Sequence, residues 1–399
     1  MKDGGTVDLH KRIVGTRYLS AGLSPYFYKW KQGDAERLCI PSEAGSSFKQ
    51  NVVTLAPSYM WLLQPLAQLQ FAVIEKIWFA FQYVLLVLIL LIFLRRIKEK
   101  EKQSILLLCF SLFLFSAGWI FNMDIGQSYL LFPFLWSLPF LFPHESKNFI
   151  ICTAIVIAIA AWLKPVCILL SIPFLLSNHL TFFIKPFILT LLICISQVFL
   201  CEHGNIWLQY FESANLWSTF FSHYDPSLPI GINEGLGPDI IEGCRLKEIT
   251  PLRDYQSCIP INIFILTGRH VNKTVCLVAL FIALAGVCFF AWKHRNKFSA
   301  NCLWSCGFIM YYLSEILIPI NKPAYYFVEF IFTIALLIYN RPLSIYLYTI
   351  LLILLFLSAH FLKLIPYQLL VAEYFLFALI SWSFWSNSRI NKPSFFTNR

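Results

Sequence analysis

Residues 72–94, AVIEKIWFAFQYVLLVLILLIFL, decide the class of this chain. A helix rises about 1.5 Å per residue, so a run of this length spans the ~30 Å hydrocarbon core of a bilayer. It ends directly in Arg95, Arg96, Lys98, Lys100 and Lys102, a cationic collar of the kind that stays on the cytoplasmic side. Outward from it, further apolar runs lie at 104–121, 129–142, 149–163, 166–178, 184–201, 274–292, 299–318, 324–340, 343–361 and 366–386. That gives about eleven membrane segments, several of them short enough to be tilted, broken or re-entrant. Composition agrees: 58% of the residues are hydrophobic, 13% are charged and 39 are Phe, more apolar surface than a water-soluble fold can cover. Because backbone polar groups in lipid must be satisfied within the segment, the expected class is an all-α polytopic membrane protein.

Charge sets the orientation. One set of loops carries the collar after residue 94, the KHRNK cluster at 293–297 and the basic tail, while the opposite short loops hold Lys164, Lys322 and Lys363. The positive-inside rule then makes the C-terminus cytoplasmic and turns residues 1–71 and 202–273 outward. The expected layout is an outward N-terminal segment with amphipathic helices at 1–71, a first bundle at 72–201, an outward loop at 202–273, a second bundle at 274–386 and a cytoplasmic tail at 387–399. A polar N-terminal segment does not cross a bilayer unaided, so an upstream helix is expected, bringing the natural count to about twelve. The net charge of +10 does not mark a nucleic-acid binder, since orientation and anionic head groups account for cations beside apolar runs. Most cysteines lie inside apolar runs, where they act as small hydrophobes; Cys244 and Cys258 share the outward loop and are a candidate disulfide.

The chemistry is expected in DLHKRIVGTRYLSAGLSPY, residues 8–26. Leu9, Ile13, Thr16 and Leu19 recur at helical spacing, which puts Asp8 at the N-terminal end of a short amphipathic helix and leaves its carboxylate ionised, as a general base must be. Gly22 and Pro25 then form a turn. Next outward comes an elbow in which Pro57 and Pro65 break the helix at the interface. Asp124, Gln127, Lys164, Lys322, Tyr325 and Tyr326 fall in outward turns between apolar runs, on the same face as Asp8, His10, Arg12, Arg17 and Tyr26. In the large loop, Trp207, Trp217 and Tyr224 are placed to stack on sugar rings, and Asp225, Glu234, Asp239 and Glu242 to bind hydroxyls; their spacing matches no calcium loop, and no metal is inferred.

These residues resemble a known pattern. Asp8 with Gly22-x-x-Pro25-Tyr26, Pro57 with Leu63-x-Pro65-Leu66 and Trp78, Gly126-Gln127, and Leu163-Lys164-Pro165 stand in the order of the signatures of glycosyltransferase family 87. Tyr129 stands where that family's GQ-x-N has asparagine, and its later outer-turn histidine is not evident near Tyr325-Tyr326. The resemblance implies a GT-C-like fold in a bacterial inner membrane, with the active site on the outer face and Asp8 as the catalytic base. It implies that mannose or a similar hexose moves from a polyprenyl-phosphate donor to a glycan or glycolipid acceptor, with inversion and without metal or cofactor. Arg12, Arg17, Lys164 and Lys322 are the candidates to stabilise the departing phosphate, and His10, Tyr26, Asp124, Gln127, Tyr325 and Tyr326 to bind substrate. A transporter or flippase of lipid-linked saccharides is the alternative; its intramembrane ionisable groups would be Glu315 and Glu329. A structural subunit without chemistry is a third reading.

Overall fold

The computed structural model describes residues 6–28, 30–39, 53–200, 205–223, 258–269, 271–296, 298–318, 324–340, 344–359 and 368–390. Regular structure among them is helical throughout. The first half runs through α1 (Val7–Ser20), α2 (Pro57–Ala67), α3 (Phe71–Arg96), α4 (Lys100–Phe113), α5 (Ala117–Asp124), α6 (Leu131–Ser137), α7 (Lys147–Leu163), α8 (Ile172–Leu175), α9 (Leu180–Leu200) and α10 (Asn205–His223). The second half holds α11 (Ile259–Thr267), α12 (Lys273–Lys293), α13 (Ala300–Leu317), α14 (Phe330–Asn340), α15 (Ile345–Leu357) and α16 (Gln368–Ile390). Short 3₁₀ turns cover Leu138–Leu141, Pro165–Ser171 and Ala324–Glu329.

The core is aromatic. Trp136, Trp304, Phe308, Tyr311 and Phe332 are buried and meet edge to face at centroid distances of 5.4–6.2 Å, the arrangement ring quadrupoles favour. Helices α13 and α14 are buried on nearly every side, so they form the centre. By contrast, α3 turns a stripe of Val73, Ile77, Phe81, Val84, Leu88 and Leu91 outward at spacings of three and four. Helix α12 exposes Val275, Val278, Phe281, Ile282 and Phe289 in the same way. Such a stripe on the outside of a helix suits lipid, not water.

The helices differ in how far they reach across a bilayer. Among the described residues, Phe71–Arg96 and Lys273–Lys293 are long and apolar enough to cross a bilayer; the apolar helices over Leu131–Leu141, Lys147–Leu163, Pro165–Leu175 and Ile345–Leu357 are shorter. Two of the expected segments are thus long enough to span, and the shortness expected of several others is seen. The run 104–121 is two helices: Ser116 accepts from Trp119 N at 3.1 Å as the cap of α5, and Ala117 N donates to Ser358 O at 2.8 Å. The break at Lys164-Pro165 falls where the sequence puts it. Lys164 is extended (φ −140°, ψ 97°), as the residue before a proline prefers, and a 3₁₀ turn follows. At the elbow, Pro65 does not break α2: it lies in the last turn, while Pro57 opens the helix, where a missing N–H costs nothing.

Candidate active site

Helix α1 is not a two-faced surface helix: Leu9, Ile13, Val14 and Tyr18 are fully buried, and so is Thr16. Its N-terminus docks on the turn after α5. Thr6 N donates to Asp124 O at 2.5 Å, and Asp8 N and Leu9 N both donate to Ile125 O, at 3.1 and 3.3 Å. Two first-turn N–H groups that no helix carbonyl can reach are thereby satisfied. The turn comes this close because Gly126 has no side chain and adopts φ +70°.

Across this joint, Asp8, Arg12 and Gln127 form one chain of hydrogen bonds. Gln127 Nε2 donates to Asp8 Oδ2, and Arg12 Nη2 donates to Gln127 Oε1. A carboxylate only accepts and a guanidinium only donates, so the amide has one possible orientation. Arg12 Nη1 donates to Gly126 O at 3.0 Å, and Trp78 Nε1 donates to Gln127 O at 3.2 Å. Gln127 and Arg12 are buried, whereas Asp8 is partly exposed. Gln127 is the single hydrogen-bond partner of the Asp8 carboxylate among the described residues, which leaves an oxygen available to a substrate hydroxyl.

The other candidates divide by helical geometry. Two residues after Asp8, His10 points the opposite way; its Nε2 lies 2.8 Å from Glu75 Oε1, and its ring packs on Phe71. Burial lowers its pKa below the ordinary imidazole value, outweighing the Glu75 carboxylate that would raise it. Arg17 is on this second face. Its three nitrogens donate to Ala67 O, Arg37 O and Leu69 O at 2.7–2.8 Å, and its guanidinium lies 4.4 Å above the Phe71 ring, so it ties α1 to the α2–α3 corner. Tyr26 donates to Leu55 O at 2.7 Å and stays neutral because burial pushes its phenol well above the ordinary value. Asp124 serves through its backbone, and its side chain is exposed. Gly22 makes the expected turn at φ +73°.

A second cluster lies around Lys164. Its ammonium is 3.2 Å from Glu329 Oε1 and 3.5 Å from Glu315 Oε1, and it donates to Tyr311 Oη, which in turn donates to Glu329 Oε2 at 2.7 Å. The intramembrane carboxylates expected of a transporter therefore neutralise the lysine expected to meet a phosphate. Above it, Tyr325 stacks on Tyr129 and Tyr326 at 5.2–5.3 Å, and Tyr129 meets Tyr326 at a tilt with centroids 4.3 Å apart. The Tyr325 hydroxyl lies within electrostatic reach of Asp8 and Arg12, and Tyr129 within reach of Arg12 and Lys164, so the tyrosines bridge the two clusters. Sequence reading set Glu315, Glu329 and Tyr129 apart from the site; the i, i+4 spacing of Tyr311 and Glu315 on α13 was the available signal. Cys258 Sγ donates to Ile318 O at 3.1 Å. Trp207 packs on Tyr210 at 5.9 Å. Lys322, Asp225, Glu234, Asp239, Glu242, Tyr224, Cys244 and the side chain of Trp217 lie outside the described residues.

Among known proteins, the model of glycosyltransferase family 87 matches residues 55–238. The matched stretch contains Trp78, Asp124, Gln127 and Lys164; Asp8, Arg12 and the tyrosines at 325 and 326 lie outside it. No curated protein and no solved structure gives a significant match.

Proposed function

We propose, for a chain whose residues 55–238 match the model of glycosyltransferase family 87, that it transfers a hexose such as mannose from a polyprenyl-phosphate donor to a glycan or glycolipid acceptor. The match implies a glycosyltransferase, and the apolar helices point to a membrane protein. Donor class, base and direction are our reading. The observation that carries it is the Asp8–Gln127–Arg12 chain, which holds one carboxylate oxygen and leaves the other open.

In this reading Asp8 takes the proton of an acceptor hydroxyl. The oxygen forms a bond to the anomeric carbon as the bond to the phosphate oxygen breaks on the opposite face, so the configuration inverts. The bonding electrons leave with the polyprenyl phosphate, whose charge is met by Arg12 and Lys322 without a metal. Gln127 positions Asp8, and Arg12 keeps the Gln127 amide turned the right way. Charge steering by the inner loops would put the site on the outer face of a bacterial inner membrane, with the C-terminus inside.

The test is sugar transfer from polyprenyl-phosphate-mannose by purified protein with chelator present, comparing wild type with Asp8→Asn. A loss of about 100-fold or more, with donor binding retained, is the expected outcome. Equal activity of the two proteins would remove Asp8 from the mechanism.

A further inference from the structure

We propose that Tyr129, Tyr326, Glu315 and Lys164 form a subsite for a neutral pyranose, one that turns away sugars carrying a carboxylate. The proposal rests on the glycosyl-transfer reading and names the substrate class of that site. Its first support is charge. One ammonium faces two carboxylates, at 3.2 and 3.5 Å, so the cluster has a negative excess. A phosphate or a uronate gains nothing there.

The second support is unequal use of the two glutamates. Glu329 is 1% exposed and accepts from both Tyr311 and Lys164. The Glu315 side chain is 12% exposed, and its one ion-pair contact among the described residues is Lys164 at 3.5 Å. A carboxylate that is mostly out of water needs donors for its remaining lone pairs, and sugar hydroxyls are donors. Lys164 beside it supplies the complementary donor, so adjacent hydroxyls can be gripped from both sides with charge-assisted bonds.

The third support is the aromatic wall. The rings of Tyr129, Tyr311 and Tyr326 lie 4.9–5.1 Å from the ammonium, and Tyr129 lies 4.3 Å from Tyr326 between centroids. Tyr129 and Tyr326 remain partly exposed. A pyranose has an apolar C–H face and a polar rim; the rings take the first, and Glu315 with Lys164 takes the second.

The experiment is saturation-transfer NMR on the full chain in detergent micelles, with the methyl glycosides of mannose and glucose, each beside its uronate. At least one neutral glycoside should bind, and its uronate about tenfold more weakly. Tyr129→Leu and Glu315→Gln should each weaken the neutral glycoside about tenfold, Glu315→Gln should narrow the discrimination against the uronate, and Tyr129→Phe should retain binding. Thermal unfolding of each variant controls for folding. Uronates bound as well as neutral glycosides, no glycoside bound, or unchanged binding in both Tyr129→Leu and Glu315→Gln would overturn the subsite. Sugar transfer is measured in parallel. Glycoside binding without any transfer by wild type sinks the glycosyl-transfer reading and leaves the subsite; transfer with unchanged binding in the variants sinks the subsite alone.

Discussion

At Gly126 the backbone takes φ +70°, and a Cβ built there would lie 2.6 Å from the Cβ of Leu9. Both facts forbid a side chain, because the left-handed conformation strains any L-residue and the helix opposite cannot yield. Gly126→Ala should therefore destabilise the protein by about 1–3 kcal/mol and lower transfer, through displacement of Asp8 from Gln127. Thermal unfolding and the transfer assay read the two effects separately; an unchanged melting temperature would contradict the joint. At the next residue, Gln127→Leu leaves the buried Arg12 guanidinium a hydrogen bond short, at a cost of about 1–3 kcal/mol. Chemical denaturation of the variant checks it. Sequence could read the glycine and the glutamine as a pair in an outward turn. It could not read that Gln127 links Asp8 to Arg12, since partners more than a hundred residues away leave no local spacing.

On the scale of elements, α1 works as a wedge with two polar edges. Asp8 and Arg12 meet the turn after α5, while Thr6 and His10 meet Glu75 at the start of α3. The second edge makes α1 pH-sensitive. With the pKa of His10 lowered, the unfolded chain binds the proton more readily than the folded one. Its contribution is present above the unfolded value of about 6.5 and is lost as pH falls through that value toward the lower folded one, by at most about 1.4 kcal/mol per pH unit. Melting temperatures of wild type should therefore drop between pH 7.5 and 5.5, and His10→Gln should flatten the drop. An identical drop in the variant would count against it. The helix itself, its start near Asp8 and the turn at Gly22 were legible from spacing and from glycine. Its burial was not, because His10 and Arg12 beside Asp8 look like groups that face a substrate, whereas His10 is held by Glu75 and Arg12 by the turn at Gly126. Arg17 shows the same limit: a cation seen in sequence looks free until the carbonyls that hold it are known.

For the whole molecule, lipid is the solvent that explains the outside. The exposed stripe on α3 predicts that Leu88→Lys raises the apparent free energy of inserting residues 71–96 by about 2.5–3.5 kcal/mol, measured in a translocon insertion assay. No change would argue that this face is covered by protein. The all-helical class was legible because apolar composition alone dictates it. The breaks were less so: Pro165 announces one, but the split at Ser116 depends on Ser358, far along the chain. The convergence of Lys164, Glu315 and Glu329 was hidden likewise, since it joins three separate helical pieces.

The joint between α1 and the turn after α5 also has a history. Arg12 and Gln127 stand 115 positions apart in the chain. At ~5–20 residues per second, a ribosome needs several seconds between making one and making the other. Before that interval ends, α1 already has its partners at Glu75 and at the α2–α3 corner, while its other edge waits for the turn after α5. Asp8 gains its place beside Gln127 when the turn at Gly126 arrives, so the carboxylate is made well before the amide that holds it.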